Sequence, residues 1–410
     1  MPAAVSPPPY TPLRDTKLFQ PIQLGKLTLE HRLAQAPLTR MRATKESDGI
    51  SVPGDLVLEY YSQRASRGGL QLTEATDIRH YASGYPGVPG IFTDSQIQAW
   101  RRITDAVHAK GGFIFSQLWH TGRASPPSFR DGAQAFSASE IPISGKAFDG
   151  TDYADNAPRP ATVEEIQDVT RSFAAAAENA MEAGFDGVEI HGANGYLLDQ
   201  FLHDNVNNRT DQYGGSIENR VRFPLEVIEA VSSAIGSDKV GIRLSPFNYF
   251  QDTKDSDPMA HWAYLCERIA SLPEHLRPVY VHSVEPRFDE VLDEQAKMDA
   301  LSAYTDGIAP EAEATRKTLH SFEPLRRILQ KGNVRFLTAG NFNRDNAVPK
   351  LDADGADVIV MGRWMISNPD LPRRLADGLR LNDYDRTTFY GADPPQKGYT
   401  DYPFFGPSAP

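Results

Sequence analysis

The chain has 410 residues, 40% of them hydrophobic and 23% charged, with a formal net charge of −12. That composition belongs to a globular protein with a sizeable core, and the acidic balance excludes the basic face that a nucleic-acid binder needs. A single cysteine, Cys266, rules out an intrachain disulfide and is in keeping with a reducing compartment.

The first fifteen residues, "MPAAVSPPPYTPLRD", read as a proline-rich extended arm over 1–15. They have neither the basic start nor the apolar stretch of a secretory signal, no apolar run elsewhere approaches a membrane span, and the closing "SAP" is not the usual peroxisomal address. The expectation is a cytoplasmic protein, monomer or homodimer, whose residues 16–410 form one domain with a C-terminal extension.

From residue 32 onward, short apolar runs alternate with longer helical patterns. In chain order, the expected strands are 32–37, 70–75, 112–118, 185–190, 240–245, 279–284, 334–339 and 357–362. The expected helices that follow them are 55–67, 95–110, 162–183, 216–235, 258–272, 318–331, 344–353 and 369–380. Several strands are rich in Val, Ile, Leu and Phe without clean alternation, the pattern of strands buried on both faces in a parallel sheet. "TVEEIQ" from Thr162 has the form of a capping box, and "EAGFDG" supplies the glycine where that helix stops. Eight βα units in series predict an α/β fold, a single (β/α)8 TIM barrel. A doubly wound sheet has no support, because no Gly-x-Gly-x-x-Gly follows any strand.

Three connections, 119–160, 246–257 and 285–317, are too long to be simple turns. All follow strands, so a barrel puts all three long loops on its C-terminal, catalytic face. The last is acidic, with Glu285, Asp289, Glu290, Asp293 and Glu294.

The strand ends carry the chemistry. After strands seven and eight, Gly340, Asn341, Gly362 and Arg363 have the makings of a phosphate site: backbone N–H groups in close approach and a permanently charged guanidinium. Arg243 sits inside strand five, where an arginine either pairs with a carboxylate such as Glu189 or Glu74 or points its charge at something electron-rich. Thr39 and Gln117 offer donors and acceptors suited to a flat heteroaromatic ring, with Trp119 and Tyr390 as walls. After strand four comes "EIHGANGYLLDQFL", residues 189–202, where His191, Asn194 and Tyr196 arrive together, loosened by Gly192 and Gly195. The plain reading is a polar turn with a core histidine; the sharper one is a site that grips a substrate oxygen and delivers a proton. Metal binding is not expected, since these ends show no His-x-x-x-His or Glu-x-x-His spacing.

Seven motifs in order, "APLTRMRA", "QLWHTGRAS", "GFDGVEIHGANGYLLDQFLHDNVNNRTDQYGGSIENRVRF", "GIRLSP", "YVHSVEPR", "TAGNF" and "VIVMGRWMISNPDLPRRL", closely resemble the old yellow enzyme family of FMN-dependent ene-reductases. The resemblance covers nearly the whole chain. It implies a barrel with FMN across its mouth. Thr39 would lie near flavin C4=O, the backbone of Pro37, Leu38 and Ala75 along the ring, Gln117 at the pyrimidine edge and Arg243 near N1 and C2=O. Gly340, Asn341, Gly362 and Arg363 match the phosphate grip. His191 and Asn194 match the pair that holds the substrate's activating oxygen, Tyr196 the proton donor, and Trp119 and Tyr390 pocket-shaping aromatics. The loop after strand six departs from the family pattern; Phe288 is the aromatic expected to serve as its lid. The implied activity is reduction of the C=C bond of α,β-unsaturated carbonyl or nitro compounds, with NADPH or NADH as reductant in a ping-pong scheme. The alternatives are a biosynthetic isomerase of the same family and a non-redox phosphate-binding barrel lyase.

Overall fold

The computed structural model describes residues 9–46, 49–248, 250–286 and 321–406. Eight strands close into a barrel: β1 (Leu33–Gln35), β2 (Leu70–Asp77), β3 (Phe113–Trp119), β4 (Gly187–Gly192), β5 (Val240–Leu244), β6 (Tyr280–Val284), β7 (Arg335–Ala339) and β8 (Val358–Met361). Each pairs in parallel with its neighbours in sequence, and β8 closes on β1. The expected (β/α)8 barrel is the fold, and each apolar run matches its strand to within two residues at either end. β2 runs two residues further than its apolar core, to Asp77, with a register shift between Leu72 and Ala75. A bulge there frees the Glu74 carboxylate to accept the backbone N–H of Arg40 at 3.2 Å.

Large and small side chains alternate inside the barrel. Gly241 and Gly187 stand where a Cβ would strike the rings of Tyr280 and Phe115, at 2.1 and 2.5 Å. The hairpin Ile22–Leu24 with Leu27–Leu29 puts Leu24 and Leu29 into the same interior cluster and plugs the N-terminal end. A packed floor leaves the opposite end, where the strands finish, as the place for a site.

The helices pack outside. Thr162 caps Val163–Glu182 as the sequence predicts, its side chain accepting the Glu165 N–H while Glu165 bonds back. One expected helix is divided and another is shorter than expected. The 216–235 pattern breaks into Ile217–Arg220 and Arg222–Ile235, because Pro224 has no N–H to give the carbonyl four residues back. The 369–380 pattern is Leu371–Ala376, preceded by a separate turn of helix at Arg363–Ser367. A short helix at Leu197–Leu202, absent from the expected set, starts immediately after Tyr196. Among the described residues no helix is long and apolar enough to cross a membrane.

The described terminal segments are tied to the body. Leu13 N–H donates to Leu375 O at 3.1 Å, so the described part of the proline-rich arm lies along Leu371–Ala376. The C-terminal segment is clasped by arginines. Arg42, Arg40 and Arg64 donate to the carbonyls of Thr388, Gly398 and Tyr399 at 2.8, 2.8 and 2.9 Å. Tyr60 and Tyr399 stack at 4.2 Å, with Arg64 over the Tyr60 ring and Arg42 over the Tyr399 ring.

Candidate active site

At the C-terminal end of the strands lies a cavity of about 550 Å³. Every site residue expected from the sequence lines it: Pro37, Leu38 and Thr39 after β1, Ala75 on β2, Gln117 and Trp119 on β3, His191, Asn194 and Tyr196 at β4, Arg243 on β5, Gly340 and Asn341 after β7, Gly362 and Arg363 after β8, and Tyr390 from the C-terminal segment. Arg40, Arg243, Arg363 and Arg386 line it too, and no carboxylate does among the described residues. In a protein of net charge −12, that is a local positive well suited to an anionic ligand. Gly362 has its Cα against Leu38, where a Cβ would come to 3.1 Å from Cδ2, and Gly340 has φ +117. Side chains are thus kept away from the backbone where a phosphate would approach it.

Beneath the cavity, β3, β4 and β6 share a buried polar layer. Glu189 accepts Gln117 Nε2 at 2.7 Å and meets His282 Nδ1 at 2.9 Å. Burial alone would raise the Glu189 carboxyl, but His282, Arg243 and Gln117 outweigh it and hold the group below the usual range. A carboxylate only accepts, so His282 carries its proton on Nδ1 and Gln117 spends its NH2 here, leaving Oε1 as its acceptor. Glu74 is engaged elsewhere, by Arg40 N–H.

The β4 loop fixes three polar side chains. Burial, with the charge of Arg243 added, pushes the His191 pKa well below the ordinary value, so the ring is neutral. Its Nδ1 accepts the Ala193 N–H at 3.3 Å. A neutral imidazole that accepts at Nδ1 carries its proton on Nε2, so His191 is a hydrogen-bond donor there. Asn194, at φ +56, is oriented by a chain that begins at a backbone amide. Phe250 N–H can only donate, and it donates to Asn248 Oδ1 at 3.1 Å. Asn248 therefore presents Nδ2 to Asn194 Oδ1, 3.1 Å away. Asn194 is left with its own NH2 to donate. Both residues line the cavity as donors.

Tyr196 is 9% exposed, and its hydroxyl donates to that of Tyr85 at 3.2 Å. Burial raises the Tyr196 pKa well above 10, and Tyr85 adds to the shift. The phenol is protonated throughout the neutral range. Its ring stands edge-on to Trp119 at 4.7 Å and to His191 at 5.1 Å. Trp119 is itself held by Nε1–H to Asp77 Oδ1 at 2.6 Å. Among the described residues no cluster of His, Cys, Asp and Glu is placed to hold a metal ion.

Several lining residues escape a reading confined to strand ends. Tyr85 comes from "SGYPG" after β2, where glycines and a proline hold an aromatic near a strand end, the one signal that marks it. Phe148, 51% exposed, comes from the long loop after β3, and Tyr384, Arg386 and Phe389 from the C-terminal segment. Tyr390 lies at the mouth, 60% exposed. Of the acidic residues in the loop after β6, Glu285 pairs with Lys350 at 2.8 Å; Phe288, Asp289, Glu290, Asp293 and Glu294 lie outside the described residues.

Comparison with known proteins gives a consistent set of relatives. A family model described as the NADH:flavin oxidoreductase / NADH oxidase family matches residues 17–382. The chain is 62% identical to flavin oxidoreductase hxnT of Emericella nidulans over 94% of its own length and 97% of that protein. It is 45% identical to 12-oxophytodienoate reductase 1 of Oryza sativa subsp. japonica, over 94% and 93%. Among solved structures, morphinone reductase superposes with a TM-score of 0.80 at 39% identity, covering 96% of this chain and 98% of that one. A complex of morphinone reductase with tetrahydroNAD superposes at 0.79, with 40% identity over 96% and 98%.

Proposed function

The chain belongs to the NADH:flavin oxidoreductase / NADH oxidase family, the old yellow enzymes, and is an NAD(P)H:flavin oxidoreductase of that type; from that premise we propose that it is an FMN-dependent ene-reductase acting on α,β-unsaturated carbonyl or nitro compounds. The relatives named as reductases of 12-oxophytodienoate and of morphinone support this substrate class, and the relative held with tetrahydroNAD supports NADPH or NADH as co-substrate.

The positive, glycine-lined cavity suits FMN. Arg363 with the backbone at Gly340, Asn341 and Gly362 would hold its phosphate. Thr39, Gln117 and Arg243, with the backbone of Pro37, Leu38 and Ala75, would hold its ring. When bound, FMN supplies a carrier that takes a hydride from the nicotinamide and passes it to the alkene.

One observation carries the reading: His191 and Asn194 are both fixed as donors. Hydride addition at the far alkene carbon drives negative charge onto the substrate's carbonyl or nitro oxygen. Two preorganised donors stabilise that charge most in the transition state. Because His191 is neutral and its proton is held by a ring of depressed basicity, it polarises that oxygen by a hydrogen bond. Tyr196 completes the addition by turning its phenolic proton from Tyr85 to the carbon beside the activating group. The enclosing rings of Trp119, Tyr85 and Tyr196 keep water from the same carbon.

The test is direct. Purified protein is expected to carry or take up FMN, with absorbance at about 450 nm. NADPH or NADH should bleach that band and an enone should restore it. A colourless protein that cannot be reconstituted with FMN would refute the reading.

A further inference from the structure

The segment Ala193–Gly195 holds two consecutive residues in the left-handed region, Asn194 at φ +56 and Gly195 at φ +74. An asparagine pays for that conformation unless its surroundings insist on it. The surroundings are specific. Asn194 N–H donates to Ser245 Oγ at 2.7 Å, and Gly195 N–H donates to Asp199 Oδ2 at 2.8 Å. Ser245 Oγ–H in turn faces Asp199 Oδ2 at 3.4 Å. One oxygen of one carboxylate therefore gathers both unusual amides, one directly and one through a hydroxyl.

Asp199 is completely buried, and a carboxylate so placed needs a cation. His203, one helical turn on, supplies it: Nε2 lies 3.1 Å from Asp199 Oδ1, and Nδ1 lies 2.9 Å from Asp255 Oδ2. Asp255 comes from the connection after β5, so the imidazole ties the loop of β4 to the loop of β5. Burial works against the charge on His203, but Asp255 and Asp199 outweigh it and lift the pKa to about 10. Arg220, 4.0 Å from Asp255, and His261, 3.8 Å from it, close the far side. None of Asp199, His203 and Asp255 lines the cavity, and the chemistry described above uses none of them.

We propose that Asp199, His203 and Asp255, acting through Ser245, are positioning residues that hold the backbone of Asn194 and Gly195 in its left-handed turn and so aim the Asn194 donor and Tyr196 at the substrate. The inference rests on the reading of Asn194 as a substrate-binding donor. A charged ring between two carboxylates is stiff where a hydrogen-bonded turn alone would relax, because letting go leaves a buried ion without its partner. Tyr196 follows Gly195 directly and opens the helix Leu197–Leu202, which carries Asp199 itself. Turn, proton donor and carboxylate therefore move as one unit.

The experiment uses the FMN-loaded protein and a para-substituted phenol, whose phenolate over the oxidised ring gives a long-wavelength charge-transfer band. His203→Gln and Ser245→Ala are expected to keep FMN content while weakening phenol binding, by roughly ten- to a hundredfold for His203→Gln, where an ionic partner is lost, and by about tenfold for Ser245→Ala. In an Asn194→Ala background His203→Gln is expected to add less than about twofold, because the route it acts through is gone. A group serving only the stability of the fold would instead give full additivity. Should His203→Gln fail to fold, Ser245→Ala, which leaves every charge in place, decides. If wild type and Asn194→Ala behave as expected while His203→Gln, or Ser245→Ala in its stead, binds phenol as wild type does, the positioning role is wrong. If the wild-type protein gives no phenol band and Asn194→Ala changes nothing, the substrate-site reading itself is wrong and this inference falls with it.

Discussion

Tyr196→Phe separates proton delivery from everything else in the site. The phenyl ring keeps the edge-on contacts with Trp119 and His191, at 4.7 and 5.1 Å. What is lost is one hydroxyl and its 3.2 Å bond to Tyr85. A neutral hydrogen bond contributes about 1 kcal/mol net, against the roughly 5–15 kcal/mol of a folded domain, so the variant should fold and bind FMN. Loss of a positioned general acid costs about 10²- to 10⁴-fold in the step it serves. Stopped-flow mixing should therefore show reduction by NADPH or NADH changed by no more than about twofold, and reoxidation by cyclohexenone slowed by two to four orders of magnitude, about the range just given. A nitroalkene should suffer less, since its nitronate product is stable enough to leave before protonation. The pH dependence sharpens the test. Burial and Tyr85 lift the phenol's pKa above 10, so the acid form is complete through the neutral range and is lost only on the alkaline side. The wild-type enone rate should stay flat through neutral pH. A wild-type rate for Tyr196→Phe with cyclohexenone would make the tyrosine a pocket wall, and a fall near the ordinary imidazole value of about 6.5 would point to a histidine as the acid.

Arg363→Ala should weaken FMN binding about ten- to a hundredfold, the loss of one charge-assisted contact; unchanged retention on dialysis would remove Arg363 from the phosphate grip. Arg243→Met should lower the reduction potential of the bound flavin or release it, because a positive charge beside the ring favours the reduced, anionic form; a raised potential with FMN fully retained contradicts that. Together, His191→Ala and Asn194→Ala should abolish the phenol charge-transfer band while sparing FMN; a band that survives gives the pair another role. Stability should also vary with pH through His203. Its folded pKa of about 10 lies above the unfolded 6.5, so its contribution, made with Asp255 and Asp199 and in the presence of Arg220 and His261 beside Asp255, is complete below 6.5, declines as pH rises and is gone above about 10. Urea unfolding should show that decline in wild type and lack it in His203→Gln.

Most of the barrel is legible in the sequence because strands buried on both faces announce themselves as unbroken apolar runs. Each of the eight runs matches its strand to within two residues at either end, and the site residues expected at their ends face one cavity. The pattern does not reveal where helices break, since Pro224 is compatible with a first helical turn as well as with an interior one, and only packing chooses. Nor does it reveal Tyr85, because the strand reading stopped at Ala75 while β2 runs to Asp77 and hands the chain to a loop that turns back over the site. The buried network was hidden for a different reason. Asp199 and His203 look like an ordinary i,i+4 pair on a helix, and their third member, Asp255, is 52 positions beyond His203, on another loop. The bulged Glu74 and the Asn248 that orients Asn194 are likewise defined by partners distant in sequence.

The arginine clasp on the C-terminal segment has a bearing on how such a cavity diversifies. The span matched by the family model ends at residue 382, and Tyr384, Arg386, Phe389 and Tyr390 all lie past it. The groups assigned to hydride and proton transfer come from strand ends inside that span, whereas one side of the entrance is built by a stretch of chain outside it. Arg40, Arg42 and Arg64 grip that stretch mostly by its carbonyl oxygens, which every residue type possesses. Apart from Tyr399, whose ring stacks on Tyr60 inside the clasp, side chains there can be exchanged without loosening the grip. Part of what shapes the entrance is thereby written apart from the strand ends, and that part can drift while they stand still.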